Sequence, residues 1–169
     1  MTVRLLREFL EAGIEPVSAL RTLNAALMLR GEEGGGFTTI DLLALQRPTG
    51  AGTLYKYGAA PSYLKRGGCV TRVTGQSLPA GLQQGADGPE STRLSLQAGS
   101  FFVMVSDGVA DETDDEWLQN LMAGWSGQSA EALASLILSE SRTRRGLRDD
   151  CAVLVLHLPK MEDSPARQV

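Results

Sequence analysis

The chain changes texture at Phe37, and that change constrains its fold more than any single motif does. Before it, apolar residues recur at helical spacing: Val3, Leu5, Leu6, Phe9 and Leu10, then Val17, Leu20, Leu23 and Leu27. Gly13 stands where a C′ glycine would end the first helix, Pro16 suits the first position of a second, and Gly31 suits its end. Residues 2–30 are therefore expected to form a helical hairpin. From Phe37 to Leu96 short apolar runs alternate with turn signals (Pro48-Thr49-Gly50, Ala60-Pro61, Gly67-Gly68). Strands are predicted at 38–45, 52–57, 62–65, 70–73 and 93–96, with a loop over 75–90. A fully apolar strand follows at 101–105, then helices near 114–123 and 129–143, a second apolar strand at 152–158, and a polar tail over 159–169. No repeat and no long linker divides residues 2–158, which read as one domain. A strand-rich middle flanked by helices predicts an α+β layered sandwich.

Bulk properties exclude several function classes. The 169 residues carry a formal charge of −4, which argues against nucleic acid or an anionic membrane as the main partner. No apolar run approaches the ~18–20 residues a membrane span needs. Glu8 and Glu11 interrupt what would be a signal peptide. This segment is thus expected to be cytoplasmic and to make no membrane contact, although an anchor upstream in a longer protein is compatible with it. Cys69 and Cys151 lack metal spacing and make no disulfide framework; both are expected to be free buried thiols. Gly34-Gly35-Gly36 reads as a connector, since no Lys-Ser/Thr follows to make a phosphate loop.

Two carboxylates stand out by position. Asp107 lies just beyond the end of the 101–105 strand, and Asp149 just before the 152–158 strand. If these strands are antiparallel neighbours, both acids reach one sheet edge, where rigid strand ends can present oxygens to a hard divalent cation. The same residues also read as an ordinary Ser-Asp-Gly turn and a solvated Arg-Asp-Asp loop, and spacing alone leaves both open.

Resemblance favours the first reading. Phe102-Val103-Met104-Val105-Ser106-Asp107-Gly108 and Arg148-Asp149-Asp150-Cys151-Ala152-Val153 resemble the last two metal motifs of PPM (PP2C-type) phosphatases, likewise separated by two helices. Phe37-Thr38-Thr39-Ile40-Asp41-Leu42, Gly58-Ala59-Ala60-Pro61-Ser62-Tyr63-Leu64-Lys65-Arg66 and Leu78-Pro79-Ala80-Gly81 are similar to elements of the SpoIIE-like branch. Leu5-Leu6, Phe9-Leu10 and Gly13-Ile14 match the helix that follows its first metal motif. The resemblance implies an α/β/β/α sandwich, incomplete at its N-terminus, and two Mn²⁺ or Mg²⁺ ions in the complete domain. It implies Asp107 and Asp149 as ligands of one metal, Gly108 in the metal turn and Asp111 as a further ligand; Asp111 reads equally as a solvated acid in an acidic run. The family's first motif, which supplies the bridging carboxylate, lies before the first helix, where these residues begin. The chain alone is therefore expected to bind metal weakly and hydrolyse little.

The implied activity is dephosphorylation of a phosphoserine regulatory protein such as an anti-anti-sigma factor in sporulation or stress signalling. A non-catalytic PPM-like scaffold for a phosphoprotein or regulatory domain is the alternative, and a PPM phosphatase of another branch a third. Arg142, Arg144, Arg145 and Arg148 read as a solvated cluster at a helix end; the sharper reading has Arg145 and Arg148 orienting a phosphoprotein substrate. His157, Trp117 and Trp125 read as packing residues. The hairpin's apolar face suits a homodimer.

Overall fold

The computed structural model describes residues 2–31, 36–47, 49–82, 88–111, 113–145 and 149–159. The expectations placed on Gly34, Gly35, Pro48, Glu112, Arg148 and residues 160–169, and on the side chain of Arg145, lie outside the described residues. The remainder is α+β, with seven strands in two sheets and four helices among the described residues. Contacts gather into two compact units, one of Met1–Pro61 with Val73–Ser95, the other of Ser62–Arg72 with Leu96–Val169.

The first unit holds α1 (Thr2–Glu11), α2 (Pro16–Gly31) and the antiparallel sheet β1-β2-β5 (Ile40–Leu45, Ala51–Tyr57, Glu90–Ser95). The predicted hairpin forms for the reason its sequence gave. Ile14 N bonds Phe9 O and Gly13 N bonds Leu10 O, both at 3.0 Å, with Gly13 at φ 78°: a Schellman ending. Leu20, Leu23 and Leu27 of α2 are buried with Ile40, Tyr57 and Ala80, and Leu5, Leu6, Leu42 and Tyr55 pack against them. The Leu78-Pro79-Ala80-Gly81 segment is tied in by a pair of 2.9 Å backbone bonds between Thr38 and Ala80, and by Gly81 N donating to Asn24 Oδ1 at 2.7 Å. Gly58 must be glycine here, because a Cβ would stand 2.5 Å from Pro79 N.

Across β1 and β2, Asp41 faces Lys56. The buried Lys56 ammonium spends its three donors on Asp41 Oδ1 (2.6 Å), Asp41 Oδ2 (2.8 Å) and Ala60 O (2.8 Å). Burial pushes the Lys56 pKa down, and the Asp41 charge opposes it. Strand β5 starts at Glu90, three residues before its predicted start, because the pairing runs on from Arg93 to Glu90 opposite Lys56.

The second unit is built on the sheet β4-β3-β6-β7 (Cys69–Val73, Ser62–Arg66, Phe101–Val105, Val153–His157) with α3 (Glu116–Gly124) and α4 (Ala130–Arg145). Phe101, Phe102, Val103 and Val105 are buried at its centre, and Leu133 and Ile137 of α4, which packs on β7, are buried as well. Helix α3 starts at Glu116, with Asp115 in the N-cap position. Asp115 is held there as a hub. Tyr63 donates to its Oδ2 at 2.8 Å, Arg72 lies 2.7 Å from the same oxygen, and Gln119 donates to its Oδ1 at 3.1 Å. Burial raises the Tyr63 pKa, and the hydrogen bond to Asp115 and its charge add to that.

Burial corrects one expectation. Both cysteines are free, but Cys69 is exposed and Cys151 half-buried. Cys69 opens β4, which ends the sheet and exposes alternate residues. The packing roles hold in modified form. His157 is half-buried and stacks on its cross-strand neighbour Phe101, with ring centroids 4.1 Å apart. Trp117 lies under the Arg144 guanidinium at 5.4 Å, a cation–π contact. Arg144 also pairs with Glu140 at 3.6 Å.

Candidate metal centre

Strands β6 and β7 are antiparallel neighbours, with Val105 opposite Val153. Asp107 therefore leaves the sheet at the edge where Asp149 enters it. The two segments are stitched together beyond the ladder. Ser106 N donates to Ala152 O (3.0 Å), Ala152 N to Ser106 Oγ (2.9 Å), and Ser106 Oγ to Asp150 O (3.1 Å). Gly108 permits this approach: a Cβ there would stand 2.4 Å from Asp150 O and 3.4 Å from Asp149 Cβ. Its role in the structure is thus to let the two acidic turns touch.

Both carboxylates are exposed at this edge, and each is oriented by its own turn. Gly108 N donates to Asp107 Oδ1 at 3.1 Å and Asp150 N to Asp149 Oδ1 at 2.8 Å. From beneath, the buried Ser141 hydroxyl of α4 reaches the carbonyls of Gly108 and Val109, each at 3.4 Å, and the Cys151 thiol donates to Gly108 O at 3.3 Å. These supports were not legible from the sequence. Ser141 is one serine among several on a helix, and only the packing of α4 on β7 selects it. Cys151, which lacks metal spacing in the sequence, acts as a donor to the turn.

Asp111 is used differently. Its Oδ1 accepts from Thr113 N (2.8 Å), Thr113 Oγ1 (2.7 Å) and Asp114 N (3.1 Å), an Asx turn leading toward α3. Among the described residues no three of His, Cys, Asp and Glu are grouped to hold a metal ion. The two carboxylates brought to this edge, Asp107 and Asp149, are of the right chemistry for a hard divalent cation.

A sequence profile described as Stage II sporulation protein E (SpoIIE) matches residues 1–159. The chain belongs to the SpoIIE family. Stage II sporulation protein E of Bacillus subtilis is 32% identical over 164 residues, covering 93% of this chain. The chain spans 20% of the length of that relative. A solved structure of the PP2C phosphatase domain and a fragment of the regulatory domain of Bacillus subtilis SpoIIE superposes with a TM-score of 0.82 at 30% identity, over 94% of this chain and 49% of that one. The phosphatase domain of the same protein, presoaked with Mn, superposes with a TM-score of 0.67 at 29% identity, over 94% of this chain and 72% of that one. The chain therefore has the α+β, antiparallel fold seen in PP2C phosphatase domains. Among its described residues no helix is long and apolar enough to cross a membrane.

Proposed function

We propose that this SpoIIE-family chain is part of a metal-dependent protein serine phosphatase acting on a phosphoserine regulatory protein of the anti-anti-sigma kind. The observation that carries the reading is the β6–β7 pairing, which brings Asp107 and Asp149 to one sheet edge on touching turns. In this reading the two carboxylates would hold a Mn²⁺ or Mg²⁺ ion, in line with the manganese-presoaked relative. When bound, such an ion supplies Lewis-acid stabilisation of phosphoryl charge and activation of water. The chain's own contribution is position. The Ser106 hydroxyl locks the two turns together, and Ser141 and Cys151 fix the backbone on which Asp107 and Gly108 sit. Asp111, four residues after Asp107, is a third candidate ligand. Arg145 and Arg148 are proposed to orient the phosphoprotein substrate.

The test is Mn²⁺-dependent phosphate release from a phosphoserine anti-anti-sigma protein by the natural protein that contains this chain. Asp107→Asn and Asp149→Asn should each lower turnover by at least about 10²-fold, since even outer-shell changes cost 10–100-fold. Wild-type rates for both variants at saturating Mn²⁺ would refute the site. One observation favours the scaffold reading for residues 1–169 taken alone: no group of three metal-binding side chains among the described residues. A chain that binds the phosphoprotein without turnover, whatever Mn²⁺ is added and in its longest natural form, would establish that alternative.

A further inference from the structure

A cavity of about 410 Å³ opens within the second unit, at the end of the sheet away from Asp107 and Asp149. It is lined by Lys65 and Arg66 at the end of β3, by residues 97–101 leading into β6, and by residues 125–128 after α3. Six residues of extended chain, about 20 Å, separate Phe101 on its wall from Asp107. The cavity is therefore distinct from the acidic edge and owes nothing to the phosphatase reading.

Among the described residues two cations and no carboxylate line it, in a chain whose acidic residues outnumber its basic ones 20 to 16. Lys65 is 5% exposed. Its ammonium donates to Gly67 O and, at 3.2 Å, to Ala123 O. An ammonium has three donors, so these two neutral carbonyls leave one N–H unspent. Burial lowers the Lys65 pKa, which the nearby Cys69 only opposes. Trp125 supplies a second donor: its Nε1 is buried without a hydrogen-bond partner among the described residues. A buried indole N–H ordinarily finds an acceptor. Lys65 and Trp125, each with a donor left over, thus both line the cavity, with Phe101 beside them.

We propose that this cavity binds a small organic anion, a flat apolar body bearing one carboxylate or phosphate group. The oxyanion would take the free donor of Lys65 and the Trp125 N–H, with Arg66 adding charge at the mouth. The volume falls within the ~300–1,000 Å³ typical of small-molecule sites, larger than a lone inorganic ion needs.

The chain has two tryptophans, so two indole N–H signals appear in a ¹H–¹⁵N spectrum, and Trp125→Phe assigns them. Benzoate and phenyl phosphate would be titrated separately into the chain in metal-free buffer containing a chelator, with benzyl alcohol as the neutral control. The expected result is a saturable downfield movement of the Trp125 indole signal with at least one anion, the Trp117 signal staying put and benzyl alcohol having no effect. Whichever anion binds more tightly identifies the headgroup. Lys65→Met should weaken binding at least tenfold while the rest of the spectrum keeps its native dispersion. Because Lys65 also ties down two carbonyls, Trp125→Phe gives a second reading: it keeps the ring, and binding followed at the Gly127 amide should weaken several-fold. No saturable shift with either anion, an equal response to benzyl alcohol, or unchanged affinity in Trp125→Phe would overturn the proposal.

Discussion

A methyl group on Gly108 would stand 2.4 Å from Asp150 O, a backbone atom in the very turn that carries Asp149. Neither side can yield without moving a candidate ligand, because Ser106 clamps the two turns together and Ser141 and Cys151 hold the carbonyl of residue 108. Gly108→Ala should therefore cost about 1–3 kcal/mol of stability by overpacking. It should also lower Mn²⁺-dependent turnover by on the order of 10²-fold, the scale of a 1 Å misplacement. Urea unfolding beside initial rates separates the two effects. A variant that is destabilised but fully active would show that the approach of the turns matters only for folding. At this scale the sequence spoke unevenly. That Asp107 and Asp149 come to one sheet edge was legible, because each abuts an apolar strand and the two strands pair. Asp115 was not, since in the run from Asp111 to Glu116 only the fold decides which acid is buried against Tyr63 and Arg72. Cys69 was misread as buried because nothing in its neighbours marks β4 as the last strand of its sheet.

Between elements, two buried polar clusters fasten strands to their surroundings. Lys56 on β2 is fully buried and pairs with Asp41 on β1. Removing only the cation takes the counter-charge from a mostly buried carboxylate, so Lys56→Met should cost roughly 3–5 kcal/mol. Adding Asp41→Leu should recover much of that, because two apolar residues no longer leave a charge uncompensated. A double-mutant cycle by urea denaturation checks this, and simple additivity of the two losses would contradict it. Tyr63 fastens β3 to the start of α3 through Asp115. Its folded pKa lies above the ordinary tyrosine value of about 10, from burial first and then from the bond to Asp115. Above pH 10 the unfolded tyrosine loses its proton while the folded one keeps it, so the unfolded state binds fewer protons. Stability must fall as pH rises there, by up to about 1.4 kcal/mol per pH unit for each such group. Tyr57, also raised by burial, contributes the same sign. Tyr63→Phe should be less stable at pH 8 yet lose stability more slowly above pH 10, retaining the share due to Tyr57. Equal slopes for variant and wild type would remove Tyr63 from the account. The elements themselves were legible wherever periodicity was strong, as in both hairpin helices and in β6. Strand starts were less so: β1 begins at Ile40, after an isolated Thr38–Ala80 bridge that no local pattern encodes.

For the molecule as a whole, the decisive quantity is how many carboxylates reach one metal. Asp107 and Asp149 come to the same edge, Asp111 turns one oxygen back on its own loop, and no group of three donors forms among the described residues. Hard cations such as Mg²⁺ and Mn²⁺ take six or so oxygens, and each missing carboxylate leaves water in its place and attraction unspent. If Asp107 and Asp149 are the ligands this chain supplies, as proposed, the 169-residue chain should bind Mn²⁺ weakly, with the little heat it shows in a calorimetric titration abolished by Asp107→Asn or Asp149→Asn. The same titration on a longer natural form of the protein should give tighter binding if further ligands are supplied there, and phosphoserine turnover should rise in step with it. The fold class was legible at this scale from the order of helices and strands, whereas the side-chain contacts around the two acidic turns were not, because they depend on where distant segments meet. Strong Mn²⁺ binding and robust turnover by the 169 residues alone would mean that donors beyond the two aspartates act at this edge, and Asp111, four residues after Asp107, would be the first to test by Asp111→Asn.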